Sequence, residues 1–149
     1  YLAAAKEKGV TLLLPIDHVI ADQFPSGEVS VEAQITSEEN IPNGFMGLDI
    51  GPKTLELYIK EVQKSKTIIW NGPMGVFEVK GFDKGTYRLA EAIATLGAVS
   101  VVGGGDSASA AQKSGYGDKF SHISTGGGAS LELMEGKVLP GVAALTDKN

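Results

Sequence analysis

The sequence contains no cysteine among its 149 residues, which excludes a disulfide framework and a thiolate metal site. No apolar run approaches the roughly 18 residues that a helix needs to cross a bilayer, so we expect no membrane partner. Net charge is −5 without any cluster of lysine or arginine, which argues against a nucleic-acid partner. The G-x-S-x-G and G-x-x-x-x-G-K-[ST] patterns are also missing, so serine hydrolase and P-loop functions lack support.

Glycine, by contrast, is abundant, with 20 residues that follow no repeating period. Three glycine-rich turns, at 70–75, 103–106 and 125–128, each follow a short apolar segment and precede a helical pattern. In a right-handed β-α-β arrangement the strands run parallel, so these turns emerge at one edge of one sheet. Glycines and helix N-termini there expose backbone N–H groups and partial positive charge. The pattern predicts a phosphate-binding edge.

The chain length fits one domain, and the pattern predicts an α/β fold. We expect a Rossmann-like, three-layer open sheet that is mostly parallel, with helices on both faces. The remaining strands are predicted at 10–14, 18–22, 28–32 and 45–50, the first of them covered on both faces because it is almost continuously apolar. Helical patterns begin at Pro52, Asp83, Asp106 and Ala129. The chain starts inside a predicted helix that ends at Gly9, so we expect a piece of a longer protein.

The segment 103–108 reads as a strand, a turn and a helix that can place several amides around one anion. Its candidate nucleotide-binding residues are Gly103, Gly104, Gly105, Asp106 and Ser107. The carboxylate of Asp106 would repel phosphates unless both shared a divalent cation, and Mg²⁺ is usually held by one or two carboxylates plus phosphates. The alternative is that Asp106 is the N-cap of its helix. Both roles are compatible with the local sequence.

The segment 125–130 repeats this arrangement with Gly126, Gly127 and Gly128. Two adjacent anion sites indicate a ligand with two or more phosphoryl groups in line. The alternative is a tight turn with positive φ, but such a turn requires only one glycine. Three glycines therefore favour a ligand.

The segment 70–78 is more mixed. The amide of Asn71 could donate to a phosphate oxygen, and Glu78 could accept hydrogen bonds from ribose hydroxyls. An isolated glutamate in a loop is more often a solvated surface charge, so the sequence alone favours that interpretation of Glu78. We expect Trp70 to lie in the core rather than to stack on a base.

A nicotinamide-dependent oxidoreductase is a competing hypothesis, because Gly103, Gly105 and Ala108 match the G-x-G-x-x-A dinucleotide spacing. That fingerprint requires an acidic residue about 20 positions later to bind the ribose. Residues 123–126 contain none, so this function is disfavoured.

Taken together, these segments resemble the phosphoglycerate kinase family. The blocks that carry the resemblance lie at 47–52, 70–78, 103–107, 122–132 and 135–142, in the family's order. The resemblance implies that 1–149 are part of the C-terminal, nucleotide-binding domain of a two-domain kinase of glycolysis and gluconeogenesis. That family transfers the acyl phosphate of 1,3-bisphosphoglycerate reversibly to MgADP, giving 3-phosphoglycerate and ATP. Its members are cytoplasmic and usually monomeric.

The resemblance also implies roles for individual residues. Asp106 would contact the nucleotide-bound Mg²⁺, and the glycines at 103–105 would border the nucleotide phosphates. Gly47 would lie against the adenosine, Glu78 would meet the ribose, and Asn71 would approach the phosphates. The turn at 126–128 would face the phosphoryl group during transfer.

The sequence departs from the family in two ways: it has no Gly-Gly-Ala-Lys block and no phosphoglycerate-binding domain. We therefore expect this chain alone to bind nucleotide weakly and to be incapable of transfer. The alternative from another class is a non-catalytic adenine-nucleotide-binding module that uses the same fold.

Overall fold

The computed structural model describes residues 1–26, 31–36 and 40–146. The helices are α1 (Leu2–Glu7), α2 (Pro52–Val62), α3 (Lys84–Thr95), α4 (Gly105–Lys113), α5 (Gly127–Met134) and α6 (Pro140–Ala143), with a 3-10 turn at Gly117–Lys119. The strands are β1 (His18–Ala21), β2 (Gln34–Thr36), β3 (Met46–Ile50), β4 (Thr67–Asn71), β5 (Val99–Gly103) and β6 (His122–Ser124). No helix among the described residues is both long and apolar enough to cross a membrane.

The chain divides into two compact units, and this mixed α/β architecture has a separate sheet in each. The first unit comprises Tyr1–Val62 and Met74–Leu89, and the second comprises Gln63–Pro73 and Ala90–Asn149. The first unit contains an antiparallel sheet in the order β2-β1-β3. Its core is formed by Ala21, Leu48 and Phe82, on which neighbouring valines pack.

Helix α2 in the first unit begins at Pro52, as predicted. Pro52 suits the first turn because it has no amide to satisfy there. The carboxylate of Asp17 accepts hydrogen bonds from the amides of Lys53 at 2.9 Å and Thr54 at 2.8 Å, and from the Thr54 hydroxyl at 2.6 Å. Burial by itself would raise the pKa of Asp17, but these bonds and the Lys53 charge hold that pKa below its usual value. Asp17 therefore caps α2 from a distant part of the chain.

The second unit contains the predicted parallel sheet, in the order β4-β5-β6. Trp70 is 4% exposed, and its ring stacks on Phe120 with a centroid distance of 5.9 Å. The prediction that Trp70 lies in the core is confirmed. Helices α4 and α5 each begin after the glycine-rich turn that was expected to start them.

The strand predicted at 10–14 is wrong. Residues 10–14 form no strand, and no strand within the described part of the chain pairs with them. Val10 and Leu14 are more than half exposed. An apolar run is a buried strand only when neighbouring strands satisfy its backbone. Here the Leu13 carbonyl instead accepts a 3.5 Å hydrogen bond from the Tyr58 hydroxyl.

The strand predicted at 28–32 falls mostly outside the described residues, since 28–30 are not described. The strand that pairs with β1 is instead β2 at Gln34–Thr36. All three strands of the first unit run antiparallel, so the parallel arrangement belongs to the second unit. Hydrophobic alternation predicts strands but does not by itself give their direction.

Candidate functional site

The ends of the three parallel strands lie side by side in the second unit. Asn71 at the end of β4 is the register partner of Gly103 at the end of β5, and Gly103 is the partner of Ser124 at the end of β6. The Gly104 amide donates to the Ser124 carbonyl at 2.9 Å, which joins the second turn to the third strand. The three glycine-rich turns therefore leave the same edge of the sheet, as the sequence predicted.

Two of these turns approach so closely that a side chain on Gly127 would have to displace the backbone of the other turn. A Cβ on Gly127 would lie 3.0 Å from the Cα of Gly104. A Cβ on Gly103 would lie 3.2 Å from Nδ2 of the Asn71 side chain. Gly104 has a φ of 101° and a ψ of 149°, a conformation essentially restricted to glycine. We call the region formed by Asn71, Gly103, Gly104 and Gly127 the glycine notch.

Two helices begin at the glycine notch. The N-caps of α4 and α5 are Gly104 and Gly126, and no described side chain forms a cap hydrogen bond at either end. The first amides of a helix lack intrahelical acceptors, and the helix dipole gives this end partial positive charge. Gly105 and Gly128 lie in the first turns, where a Cβ would have no neighbouring atom within 4 Å. The arrangement is suited to an anion that approaches the backbone.

Asp106 is exposed in the first turn of α4. Because Gly104 is the N-cap, the alternative interpretation of Asp106 as the cap is wrong. Among residues 1–26, 31–36 and 40–146, no group of three or more histidine and acidic residues is placed to hold a metal ion. A cation at Asp106 would thus take one protein carboxylate and complete its coordination with ligand and water oxygens, which fits Mg²⁺ in phosphate complexes.

Ser107 is almost fully buried, at 1% exposure. Its hydroxyl accepts a hydrogen bond from the Gly72 amide at 2.7 Å, while the indole of Trp70 donates to the Gly72 carbonyl at 2.8 Å. The backbone N–H and the carbonyl of Gly72 are therefore both hydrogen-bonded, which fixes the backbone directly after Asn71. The sequence placed Ser107 among the nucleotide-binding residues, and the structure gives its hydroxyl this internal contact.

Gly47 and Glu78 belong to the first unit. The Val76 amide donates to the Leu48 carbonyl at 2.8 Å, so the segment that carries Glu78 runs beside the strand that carries Gly47. Glu78 is exposed, and a Cβ on Gly47 would lie 2.8 Å from Cδ1 of Ile41. Gly47 and Glu78, the two residues predicted to contact the adenosine, therefore lie on two segments that are hydrogen-bonded to each other.

Two residues that the sequence reasoning missed hold the loop before Glu78. The hydroxyl of the fully buried Thr86 accepts hydrogen bonds from the amides of Met74 at 3.0 Å and Gly75 at 3.3 Å. The Tyr87 hydroxyl donates to the Phe77 carbonyl at 3.1 Å. No sequence motif distinguishes a threonine and a tyrosine in the first turns of a helix as residues that hold a loop. Only their contacts reveal them.

Asp49 lies beneath the same loop and is 4% exposed. Its carboxylate accepts hydrogen bonds from the amides of Ile50 at 2.8 Å and Gly85 at 2.7 Å. Burial raises the pKa of Asp49 to about 6, although these amide bonds favour the ionised form, and the charge of Asp83 raises it further. A Cβ on Gly75 would meet this carboxylate at 2.5 Å, so the loop packs directly on it.

Comparison with known proteins supports the family that the motifs suggested. A family model described as phosphoglycerate kinase matches residues 1–137. The phosphoglycerate kinase of Gloeobacter violaceus is 63% identical over 146 residues, covering 98% of this chain and 35% of the relative. That of Clostridium perfringens is 60% identical over 147 residues, covering 99% and 36%.

Solved structures agree. Phosphoglycerate kinase from Coxiella burnetii matches with a TM-score of 0.86 and 40% identity, over 95% of this chain and 36% of that one. The enzyme from Pyrococcus horikoshii matches with a TM-score of 0.72 and 32% identity, over 97% and 38%. The chain thus spans about a third of the length of the relatives that it matches. By sequence and by structure, it belongs to the phosphoglycerate kinase family.

Proposed function

We propose that the chain is the nucleotide-binding part of an enzyme that transfers the acyl phosphate of 1,3-bisphosphoglycerate to ADP, reversibly, giving 3-phosphoglycerate and ATP. Residues 1–149 would belong to the C-terminal domain of this two-domain kinase, and the phosphoglycerate-binding domain is not among them. Family membership supports the reaction. The single observation that carries the nucleotide-binding role is the glycine notch, beside which two helices begin without a hydrogen bond from any described side chain at the cap.

The glycine notch and its helix starts would hold the phosphates. Residues 103–105 and 107 border the nucleotide phosphates in this proposal, the side-chain amide of Asn71 donates to them, and the turn at 126–128 faces the phosphoryl group that is transferred. Phosphoryl transfer requires little covalent chemistry from the protein, because alignment and charge stabilisation supply most of the catalysis. Two opposite unit charges 4 Å apart attract each other by about 4 kcal/mol at an effective dielectric constant near 20, so a few charged groups can stabilise the transferred phosphoryl group substantially.

Asp106 is the residue that would hold Mg²⁺. Its exposed carboxylate follows directly on the first residue of α4, and it has no capping role. When bound, the ion would neutralise charge on the phosphates. Asp106 would fix the position of that ion relative to the amides of α4.

On the adenosine side, Gly47 would lie against the nucleoside and the Glu78 carboxylate would accept hydrogen bonds from the ribose hydroxyls. The exposure of Glu78 and the bond between Val76 and Leu48 support this pairing. A glycolytic reaction also implies a cytoplasmic enzyme, and we propose that the full-length protein is a monomer.

Calorimetry on the chain tests this function directly. ADP and ATP should bind more tightly with Mg²⁺ than without it. D106N should remove most of that difference without weakening metal-free binding, since it removes a charge that repels the phosphates. NAD should not bind. Binding of NAD, or an equal response of wild type and D106N to Mg²⁺, would contradict the proposal.

A coupled assay with 1,3-bisphosphoglycerate and MgADP separates the kinase from a non-catalytic nucleotide-binding module. We expect no robust turnover by these 149 residues, because the cation-bearing Gly-Gly-Ala-Lys block and the phosphoglycerate-binding domain are not among them. A longer protein that contains this chain and both of those parts should turn over. Nucleotide binding without turnover in that longer protein would favour the non-catalytic module.

A further inference from the structure

The loop at 74–77 is fixed to its surroundings at each of its four residues. The amides of Met74 and Gly75 donate to Thr86, the Val76 amide donates to the Leu48 carbonyl, and the Phe77 carbonyl accepts from Tyr87. This fixed backbone ends directly before Glu78, which is exposed. We propose that Thr86 and Tyr87 are positioning residues that orient the Glu78 carboxylate toward the ribose of an adenine nucleotide. This inference rests on the ribose role proposed for Glu78.

Thr86 has the chemistry that this role requires. It is fully buried at the start of α3, and its one hydroxyl oxygen accepts two successive amides of the loop. A hydroxyl oxygen has two acceptor lone pairs, and these two amides use both of them. No apolar side chain of the same shape can replace that contact. Thr86 therefore determines where the loop backbone runs.

Tyr87 fixes the other end of the loop. Its ring meets Phe77 edge-on with a centroid distance of 6.3 Å, and its hydroxyl donates to the carbonyl of that same residue. Burial raises the pKa of the Tyr87 hydroxyl, with additional contributions from the charges of Asp83 and Glu78.

Positioning matters because an exposed glutamate has many rotamers, and ordering it on binding costs conformational entropy. A backbone that is already fixed on its N-terminal side removes the additional cost of ordering the backbone, so that only the side chain must be ordered on binding. Thr86 and Tyr87 would therefore affect the preference for a ribose with hydroxyls. Loss of a purely structural contact would instead weaken the binding of all adenine nucleotides to the same extent.

The decisive measurement is the ratio of dissociation constants for 2′,3′-dideoxy-ADP and ADP. In the wild-type chain we expect ADP to bind about tenfold more tightly, as one hydrogen bond to a charged acceptor provides. E78A should bring the ratio close to one. T86V should also bring the ratio close to one, and Y87F should lower the ratio about threefold. Each substitution removes hydrogen bonds that hold the loop at 74–77. T86S should keep the wild-type ratio, since it retains the hydroxyl.

The matched control is T54V. Thr54 is also fully buried in the first unit, and its hydroxyl also bonds to several partners, but it holds Asp17 and α2 rather than the loop. T54V should therefore lower stability without changing the ratio. If T86V does not fold, the ratio measured for Y87F tests the positioning role. Y87F should fold, because it loses only the hydroxyl and keeps the ring contact with Phe77.

Two results contradict different statements. If E78A removes the preference for ADP while T86V and Y87F retain it, the positioning role is wrong and the proposed function stands. If the wild-type chain binds both nucleotides equally, or if E78A changes nothing, the ribose role of Glu78 is wrong, and the positioning inference is overturned with it.

Discussion

The Cα of Gly104 lies 3.0 Å from the position that a Cβ on Gly127 would occupy. The two glycines belong to turns after different strands, and each lies at the start of a helix. Their approach gives the glycine notch its shape, because a side chain on Gly127 would press on the Gly104 backbone. Gly104 itself requires glycine because of its φ of 101°.

We expect G127A to destabilise the chain by about 1–3 kcal/mol, since the added methyl must displace the Gly104 backbone. G128A is the matched control, because a Cβ there meets no atom within 4 Å. It should leave stability unchanged or increase it by up to about 1 kcal/mol, the helix propensity difference between glycine and alanine. Urea denaturation compares the two, and equal destabilisation would mean that the turns do not meet.

The tether between Ser107 and Gly72 makes a second prediction. S107A should cost about 1–3 kcal/mol, because it leaves the partly buried Gly72 amide without its acceptor. Fluorescence of Trp70, the only tryptophan in the sequence, should change as well, since its indole bonds to Gly72. T95A removes a hydroxyl bond that is exposed and should cost less than about 0.5 kcal/mol. Unaltered fluorescence in S107A would argue against the tether.

The buried carboxyl of Asp49 should make stability decrease as pH rises. The folded state binds this proton more tightly than the unfolded state, because the pKa is about 6 in the folded chain against 3.8 unfolded. Its contribution is therefore fully present below pH 4, declines between pH 4 and 6, and is constant above. The total difference is about 3 kcal/mol.

D49N stays neutral throughout and tests this directly. Relative to wild type, D49N should gain stability as pH rises from 4 to 7, whatever the constant cost of losing one amide bond. Denaturation midpoints at pH 4, 5, 6 and 7 measure that difference. A wild-type minus D49N difference that is flat with pH would show that Asp49 titrates normally.

Asp17 should behave in the opposite way. Its pKa is lowered in the folded state, so it stabilises the fold above the unfolded value near 3.8, and that contribution is lost as pH falls through the folded pKa. We expect D17N to cost about 1–3 kcal/mol at pH 7, because the start of α2 loses a charged acceptor, and less below pH 4. The exposed Asp22 supplies the control D22N, which should have little effect at any pH.

Local features could be predicted because neighbouring residues encode them. The helix start at Pro52 and the three parallel strands followed from patterns within a few residues, and these predictions are confirmed. The segment at 10–14 was predicted wrongly because an apolar run specifies burial only where partners exist to provide it. The three antiparallel strands of the first unit show the same limit, since alternation does not give strand direction.

The candidate site likewise contains residues that short sequence segments reveal and residues that only the folded structure reveals. Glycine-rich turns and family motifs identified Asn71, Asp106 and the glycines, since these residues are recognisable in short segments. Thr86 and Tyr87 could not be found in this way, because a single threonine or tyrosine in a helix has no distinguishing pattern. Their role follows from contacts that only the folded chain displays.

The sequence by itself determined where most elements lie, the family, and where the glycine-rich turns occur, because backbone propensity and glycine content act locally. Only the tertiary structure decided that Gly104 meets Gly127, that Ser107 holds Gly72, and that Asp17 caps a helix 37 residues away through Thr54. Such contacts depend on how distant segments pack. A packed arrangement is a property of the whole chain, and no short segment contains it.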